Sequence, residues 1–437
     1  MNKRVSGSLA RLALSAALLL VPPLLASAQA ASAHFGARGD GPNAYALGMA
    51  QGYPACAQPL TQERCRVGSW SGGQPDIERS DLAPAASPRP LPRHPNPPEI
   101  RWGRDDGHLT IEDYLNKVQV TGLLIIKDGQ VLAERYQYDR KPGMPMRSFS
   151  MAKTIKALLL GIALDKGLIR SLDDKAADYW PEIAPSAYGQ TTLRNLLRMS
   201  SGVPFKELYT WTPDDDIWVW GQVLYHRRNA GQPERITEFL NARTEREAEQ
   251  GSRFHYASIE TEVLGRVLIR ATGKSITQLT EDWLWKPMGA EHRAFWVLST
   301  TDRAEGVAGG FNASLRDYGR LGMLLADDGQ RDGSTILPKE YLLDATDVAR
   351  QPAAFRPGKA TRFLGYGYQT WLLPYKTRTF ALQGIHGQTI YVQPATRTVM
   401  VQTAVYSKGG GRQDPEPYRL RHAFWQGVLR SVGGVVD

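Results

Sequence analysis

Strand-forming sequence lies at both ends of residues 106–437, with helical sequence between, and this distribution limits the fold more than any other feature. Near the start, residues 122–127 are apolar and β-rich, Asp128-Gly129 is a two-residue turn signal, and residues 130–138 alternate their side chains. Near the end, residues 367–373, 379–383, 389–393 and 398–406 read as strands, and Pro394-Ala395 turns the last pair. Between them, residues 150–166 carry an apolar stripe (Ile155, Leu158, Leu159, Ile162), with Gly167 where a helix would stop. Residues 192–199, 236–247, 258–271 and 315–327 also read as helices, and 418–432 as a final one. Thr110 with Asp113, and Ser275 with Gln278, are helix-start signals. These patterns imply an α+β domain: an antiparallel sheet built from both ends, flanked by helices, with an inserted helical lobe.

Two segments precede that domain. Residues 1–30 have a basic start (Lys3, Arg4, Arg11), an apolar run over 12–26 broken by Pro22-Pro23, and small residues after it. They read as an export signal, which places the mature chain in the periplasm or outside the cell; an uncleaved anchor is the alternative. Residues 31–105 form an extension rich in Gly, Pro and Ala, with seven prolines from Pro84 to Pro98. Such a stretch resists helix and sheet, and is either a spacer or a wrap over the domain. It holds the chain's two cysteines, Cys56 and Cys65, which either close a small loop or stay free.

Composition excludes more than it selects. Three of the +9 formal charges lie in the first 30 residues, and the other basic residues are scattered among acids, so no nucleic-acid partner is expected. No segment after residue 30 approaches a membrane span. The sequence has no Gly-x-Ser-x-Gly elbow, no His-x-x-x-His pair and no Gly-x-Gly-x-x-Gly, so neither a metal nor a cofactor is expected.

The chemistry concentrates in three places. Ser150-Met151-Ala152-Lys153 sets a serine and a lysine three apart, on one face of a helix that begins at the serine. A serine hydroxyl needs a proton acceptor to become a nucleophile, and a lysine serves once burial lowers its pKa. The bland alternative is a cap serine and an exposed lysine. Tyr256-Ala257-Ser258 follows a polar loop and starts a helix; its tyrosine either relays protons in a cleft or packs in the core. His386-Gly387-Gln388 precedes a strand, where Gly387 lets a ligand approach the backbone and an N–H can join that of Ser150 in an oxyanion hole. Asn312 either faces the cleft or serves a turn. The acidic run Asp214–Asp216, after Tyr209 and Trp211, either meets a substrate ammonium or is a solvated loop.

Taken in this order, the three elements resemble the penicillin-recognising serine hydrolase superfamily, over about residues 106–432. Leu193–Gly202 (LRNLLRMSSG), Tyr256–Gly265 (YASIETEVLG), Gly309–Gly322 (GGFNASLRDYGRLG) and Gly384–Val392 (GIHGQTIYV) support the likeness. The resemblance implies a β-lactamase/transpeptidase-like fold, Ser150 as the acylated nucleophile, Lys153 as its base, and Tyr256 passing the proton to the leaving group. Ser258 stands where the β-lactamases carry Asn, and His386 where they carry the Lys of Lys-Thr-Gly. Both departures are similar to β-lactamase-like esterases and 6-aminohexanoate-dimer hydrolases. The expected activity is hydrolysis of an amide or ester bond in a small linear substrate; β-lactamase or DD-peptidase activity, or a non-catalytic sensor, are the alternatives. On this reading Lys153→Ala costs far more activity than Lys156→Ala, and His386→Lys improves β-lactam turnover or binding. Oligomeric state is not legible.

Overall fold

Seven strands form the main sheet in a computed structural model that describes residues 40–103 and 107–437. They are β1 (Val120–Lys127), β2 (Gln130–Tyr136), β3 (Gly365–Tyr366), β4 (Trp371–Leu372), β5 (Phe380–Gln383), β6 (Thr389–Gln393) and β7 (Thr398–Ala404). Their spatial order is β2-β1-β7-β6-β5-β4-β3, antiparallel throughout. The first and last strands of the domain are therefore neighbours inside the sheet, as the sequence pattern implies.

Strand β1 is buried along nearly its whole length because helices cover both faces. On one face, Leu123 and Ile125 pack in a core with Phe424, Trp425, Val428 and Leu429 of α4 (Glu416–Ser431). On the other, α3 (Leu315–Ala326) lies so close that a Cβ on Gly319 would sit 2.6 Å from Leu124, and one on Gly322 2.4 Å from Val399. Between the two ends of the sheet the chain builds α1 (Met151–Asp165), α2 (Ser258–Thr272) and several shorter helices.

Some boundaries differ from the sequence reading. Of the single strand expected over 367–373 only β4 (Trp371–Leu372) forms; β3 precedes the expected range, and the two are separated by a turn at Gln369, whose backbone is left-handed at φ 53°. Its carbonyl accepts from the Thr154 hydroxyl and its side-chain oxygen from that of Thr261, so the turn ties α1 and α2 to the sheet. The helix started by Thr110 ends at Leu115, and those expected over 192–199 and 236–247 shorten to Leu193–Leu197 and Glu234–Asn241. Both capping boxes form.

Over its described residues, 40–103, the extension is a wrap. Its strand Arg79–Leu82 pairs with Ala294–Val297 at the edge of a second, four-stranded sheet that also contains Phe311–Ala313 and Met146–Arg147. The proline-rich part runs along the open edge of β2, exchanging backbone hydrogen bonds with Val131, which protects an otherwise unpaired strand. Upstream, Leu47, Tyr53, Val67 and Trp70 bury themselves against Tyr138, Phe149 and Val405. Short helical turns occupy Met49–Gln51 and residues 63–73, which the low periodicity did not announce. Cys56 and Cys65 are bridged, closing the loop that leads into this cluster. The proposed export signal lies outside the described residues.

Candidate active site

Ser150 is the N-cap of α1, yet its side chain makes no capping bond. A serine serving only as a cap would accept from a first-turn N–H. Instead its Oγ accepts from Lys153 Nζ at 2.9 Å, and the ammonium's second bond goes to the Ala308 carbonyl at 2.8 Å. Lys153 is 2% exposed. Burial pulls its pKa down to about 8, against the opposing pull of Glu207 and then Glu262. A substantial neutral fraction at mildly alkaline pH lets it act as a base toward Ser150. The Ser150 N–H has no acceptor among the described residues and stands at the positive end of α1, so it is free to receive an oxyanion. Phe149, just before it, has φ 44°, a strained backbone fixed from both sides. Trp70 packs edge-on to its ring at 4.9 Å, and a Cβ on Gly384 would come within 3.0 Å of the Phe149 Cβ, so only glycine leaves room there.

Tyr256 reaches the same point from the start of α2. Lys153 Nζ lies 5.2 Å from its ring centroid, and the ring stacks on Trp371 at 5.7 Å. Burial raises its phenol well above the usual value, opposed by its contact with the Ser150 hydroxyl. The phenol thus stays protonated and can donate. Phe254 and Tyr366 complete an aromatic wall behind it.

The third element is placed otherwise than its sequence suggests. His386 is 4% exposed: its ring lies 4.7 Å from that of Trp70, and Nδ1 bonds the Tyr406 carbonyl. Burial lowers its pKa to about 4, so it is neutral at pH 7 and covered by the extension. Gly387 is required by the Tyr406 ring, which a Cβ would meet at 2.7 Å, rather than by a ligand. The Gln388 amide is spent on both backbone groups of Ala404. Asn312 is buried in the small sheet, donating to Gly310 O. The side chains of His386, Gln388 and Asn312 therefore serve the scaffold; the Gln388 N–H, just before β6, has no acceptor among the described residues and can join that of Ser150 as an oxyanion donor. His386→Lys would bury an ammonium under Trp70. The outcome now expected is a lower melting temperature with no gain in nitrocefin turnover, measured by calorimetry and absorbance.

The acidic run is likewise structural. Asp215 is fully buried and accepts from the backbone N–H groups of Leu208, Thr210 and Trp211. It shapes the loop carrying Glu207, the residue that sequence reasoning missed. Glu207 accepts from both the Ser258 N–H and hydroxyl at 2.7 Å, and from Tyr209 at 2.5 Å. Ser258, at the family's Asn position, thus points to a carboxylate rather than to substrate. No local motif marks a lone Glu in a polar loop, so nothing in the sequence could have singled it out. A second buried acid, Glu262, accepts from Ala308 N–H and pairs with Arg266, fixing the loop that holds Lys153.

The family model named Beta-lactamase matches residues 110–423. The chain belongs to that family. It is a serine hydrolase of the penicillin-recognising superfamily, with the mixed α and antiparallel β architecture seen above. The 6-aminohexanoate-dimer hydrolase of Paenarthrobacter ureafaciens is 25% identical over 401 residues, 87% of this chain and 99% of that protein. A solved Bacillus anthracis structure, provisionally assigned as a 6-aminohexanoate-dimer hydrolase, superposes with TM-score 0.73 at 21% identity, over 86% of this chain and 97% of that one. A family VIII carboxylesterase structure gives TM-score 0.52 at 17% identity, over 71% and 93% of the two chains.

Proposed function

We propose that Ser150 is the nucleophile of an amidase or esterase that cleaves small linear substrates through an acyl-enzyme. The carrying observation is the 2.9 Å contact between Ser150 Oγ and a buried lysine whose pKa is near 8. Lys153 takes the hydroxyl proton as Oγ attacks the carbonyl, and the Ser150 N–H with that of Gln388 holds the oxyanion. Tyr256 donates its proton to the leaving nitrogen or oxygen and recovers it through Lys153. Water then repeats the sequence to release the acid.

Substrate class follows from what borders the serine. The Tyr256 ring stacked on Trp371 borders it, the Glu207 carboxylate acts through its charge on Lys153 and Tyr256, and the position that holds a Lys in β-lactamases is a neutral, covered His386. That setting disfavours the carboxylate of a β-lactam and suits an uncharged or cationic chain. The likeness to 6-aminohexanoate-dimer hydrolase supports a linear amide. We also infer that the mature enzyme acts outside the cytoplasm; the basic, then apolar, N-terminal sequence and the Cys56–Cys65 bridge support this.

The test is a panel of p-nitrophenyl acetate and butyrate, 6-aminohexanoate dimer and nitrocefin, run on wild type and Ser150→Ala. Ser150-dependent turnover of an ester or the dimer, with nitrocefin the poorest, is expected. Equal activity in both proteins would overturn the nucleophile, and nitrocefin as the best substrate would overturn the substrate class. A second expectation concerns Glu207→Gln. Glu207 raises the Lys153 pKa, so removing its charge lowers that pKa. The base must be neutral, and the rate rises as pH passes its pKa. The acidic limb of kcat/KM therefore moves to lower pH in the variant, and an unmoved limb would dissociate Glu207 from Lys153.

A further inference from the structure

One face of the four-stranded sheet is only partly covered by the extension. Arg79, Phe295, Val297, Asn312 and Arg147 lie on that face, and Ser69, Gly72, Gln74 and Ile77 close over it. A cavity of about 80 Å³ remains between them, open on one side. Its notable wall is Arg147. The guanidinium donates to the Gly309 carbonyl at 3.4 Å and to Gln74 Oε1 at 3.3 Å, and lies 5.0 Å from the Phe149 ring centroid. Both hydrogen bonds are long, and both acceptors are neutral. Among the described residues no carboxylate lies within salt-bridge distance of it. Burial lowers its pKa, although an arginine keeps its charge at any working pH. A part-buried cation without a counter-ion is costly, and an anion in the cavity relieves that cost.

Arg79, from the extension, brings a second guanidinium to the same space, shared with the half-exposed Asp81 at 3.4 Å. The other walls, Phe295, Val297 and Ile77, are apolar. Arg79 is already paired with Asp81 and lies 4.9 Å from the Phe295 ring centroid, so Arg147 is the guanidinium left to bind; beside the apolar wall it matches a carboxylate on a short aliphatic chain, the planar head pairing with Arg147 and the chain meeting the hydrocarbon. We propose that this cavity binds a short aliphatic carboxylate. The site is assembled jointly by the extension and the catalytic domain, and it uses none of the residues assigned to acyl transfer. It does not rest on the roles given to Ser150 or Lys153.

A carboxylate here could be a free acid or the acid released by hydrolysis, and the test separates them. Butyrate and hexanoate are titrated calorimetrically into wild type, Ser150→Ala, Arg147→Gln and Arg147→Lys, with hexanol as the uncharged control. Saturable binding of the acids but not of hexanol is expected, at least tenfold weaker in Arg147→Gln, partly restored in Arg147→Lys and unchanged in Ser150→Ala. A free-acid site leaves ester hydrolysis unaffected by added butyrate. A product site makes butyrate an inhibitor of p-nitrophenyl butyrate hydrolysis, and Arg147→Gln relieves it. Difference density from wild-type crystals soaked in butyrate gives a reading that no variant's folding can spoil. Density on Arg147 supports the site. An empty cavity in saturated crystals, binding of hexanol as tight as hexanoate, or Arg147→Gln binding as wild type would each overturn it.

Discussion

Lys153→Met lowers kcat/KM for p-nitrophenyl butyrate by about 10³-fold, while Lys156→Met stays within about tenfold of wild type. The two lysines lie one turn apart on α1, and both are buried. Only Lys153 bonds the Ser150 hydroxyl, so only its loss leaves the nucleophile without a proton acceptor. Lys156 Nζ is enclosed with no hydrogen-bond partner, and burial holds its pKa well below the usual value. Replacing it by a methionine of similar length removes an unsatisfied polar group without opening a cavity, so stability holds or rises. Lys156→Ala would confuse the comparison by adding a cavity. Steady-state kinetics with a thermal melt on each variant checks both halves. Equal losses of activity would remove Lys153 from its role.

Trp70→Ala destabilises the protein by about 3–5 kcal/mol. Trp70 belongs to the extension, yet it is 4% exposed and touches both Phe149 and His386. Its removal leaves a large void beside the strained backbone that presents Ser150, so kcat falls together with the melting temperature. Filling the void with Trp70→Phe recovers most of both. Calorimetry and kinetics on the pair provide the check. An unchanged melting temperature in Trp70→Ala would mean that residues 40–78 are a detachable covering rather than part of the core.

The sheet was legible because its ends are marked by local rules. The Asp128-Gly129 turn and the apolar β1 lie far in sequence from β7, but the fold joins them as neighbours. Ser150 and Lys153 were legible for the same reason, since one helical turn places them together whatever the rest does. Tyr256 needed the family resemblance, because nothing local distinguishes it from a core tyrosine. Residues whose meaning depends on distant partners were not legible. His386 looked like a ligand-facing position until Trp70, more than three hundred residues earlier, covered it. The acidic run drew attention by composition, but Asp215 spends its charge on backbone N–H groups, and the carboxylate beside Lys153 is the inconspicuous Glu207. The extension's helical turns escaped notice because they are held by burial against the domain and by the Cys56–Cys65 bridge rather than by periodicity of their own.

The most direct test of Ser150 as an activated nucleophile is covalent capture. Purified protein is treated with a fluorophosphonate at pH 8, and the modified residue is located by intact mass and peptide mapping. A single adduct on Ser150 is expected, absent in Ser150→Ala and formed far more slowly in Lys153→Met. Labelling that persists in Ser150→Ala, or no labelling of a folded wild-type protein, would contradict the account.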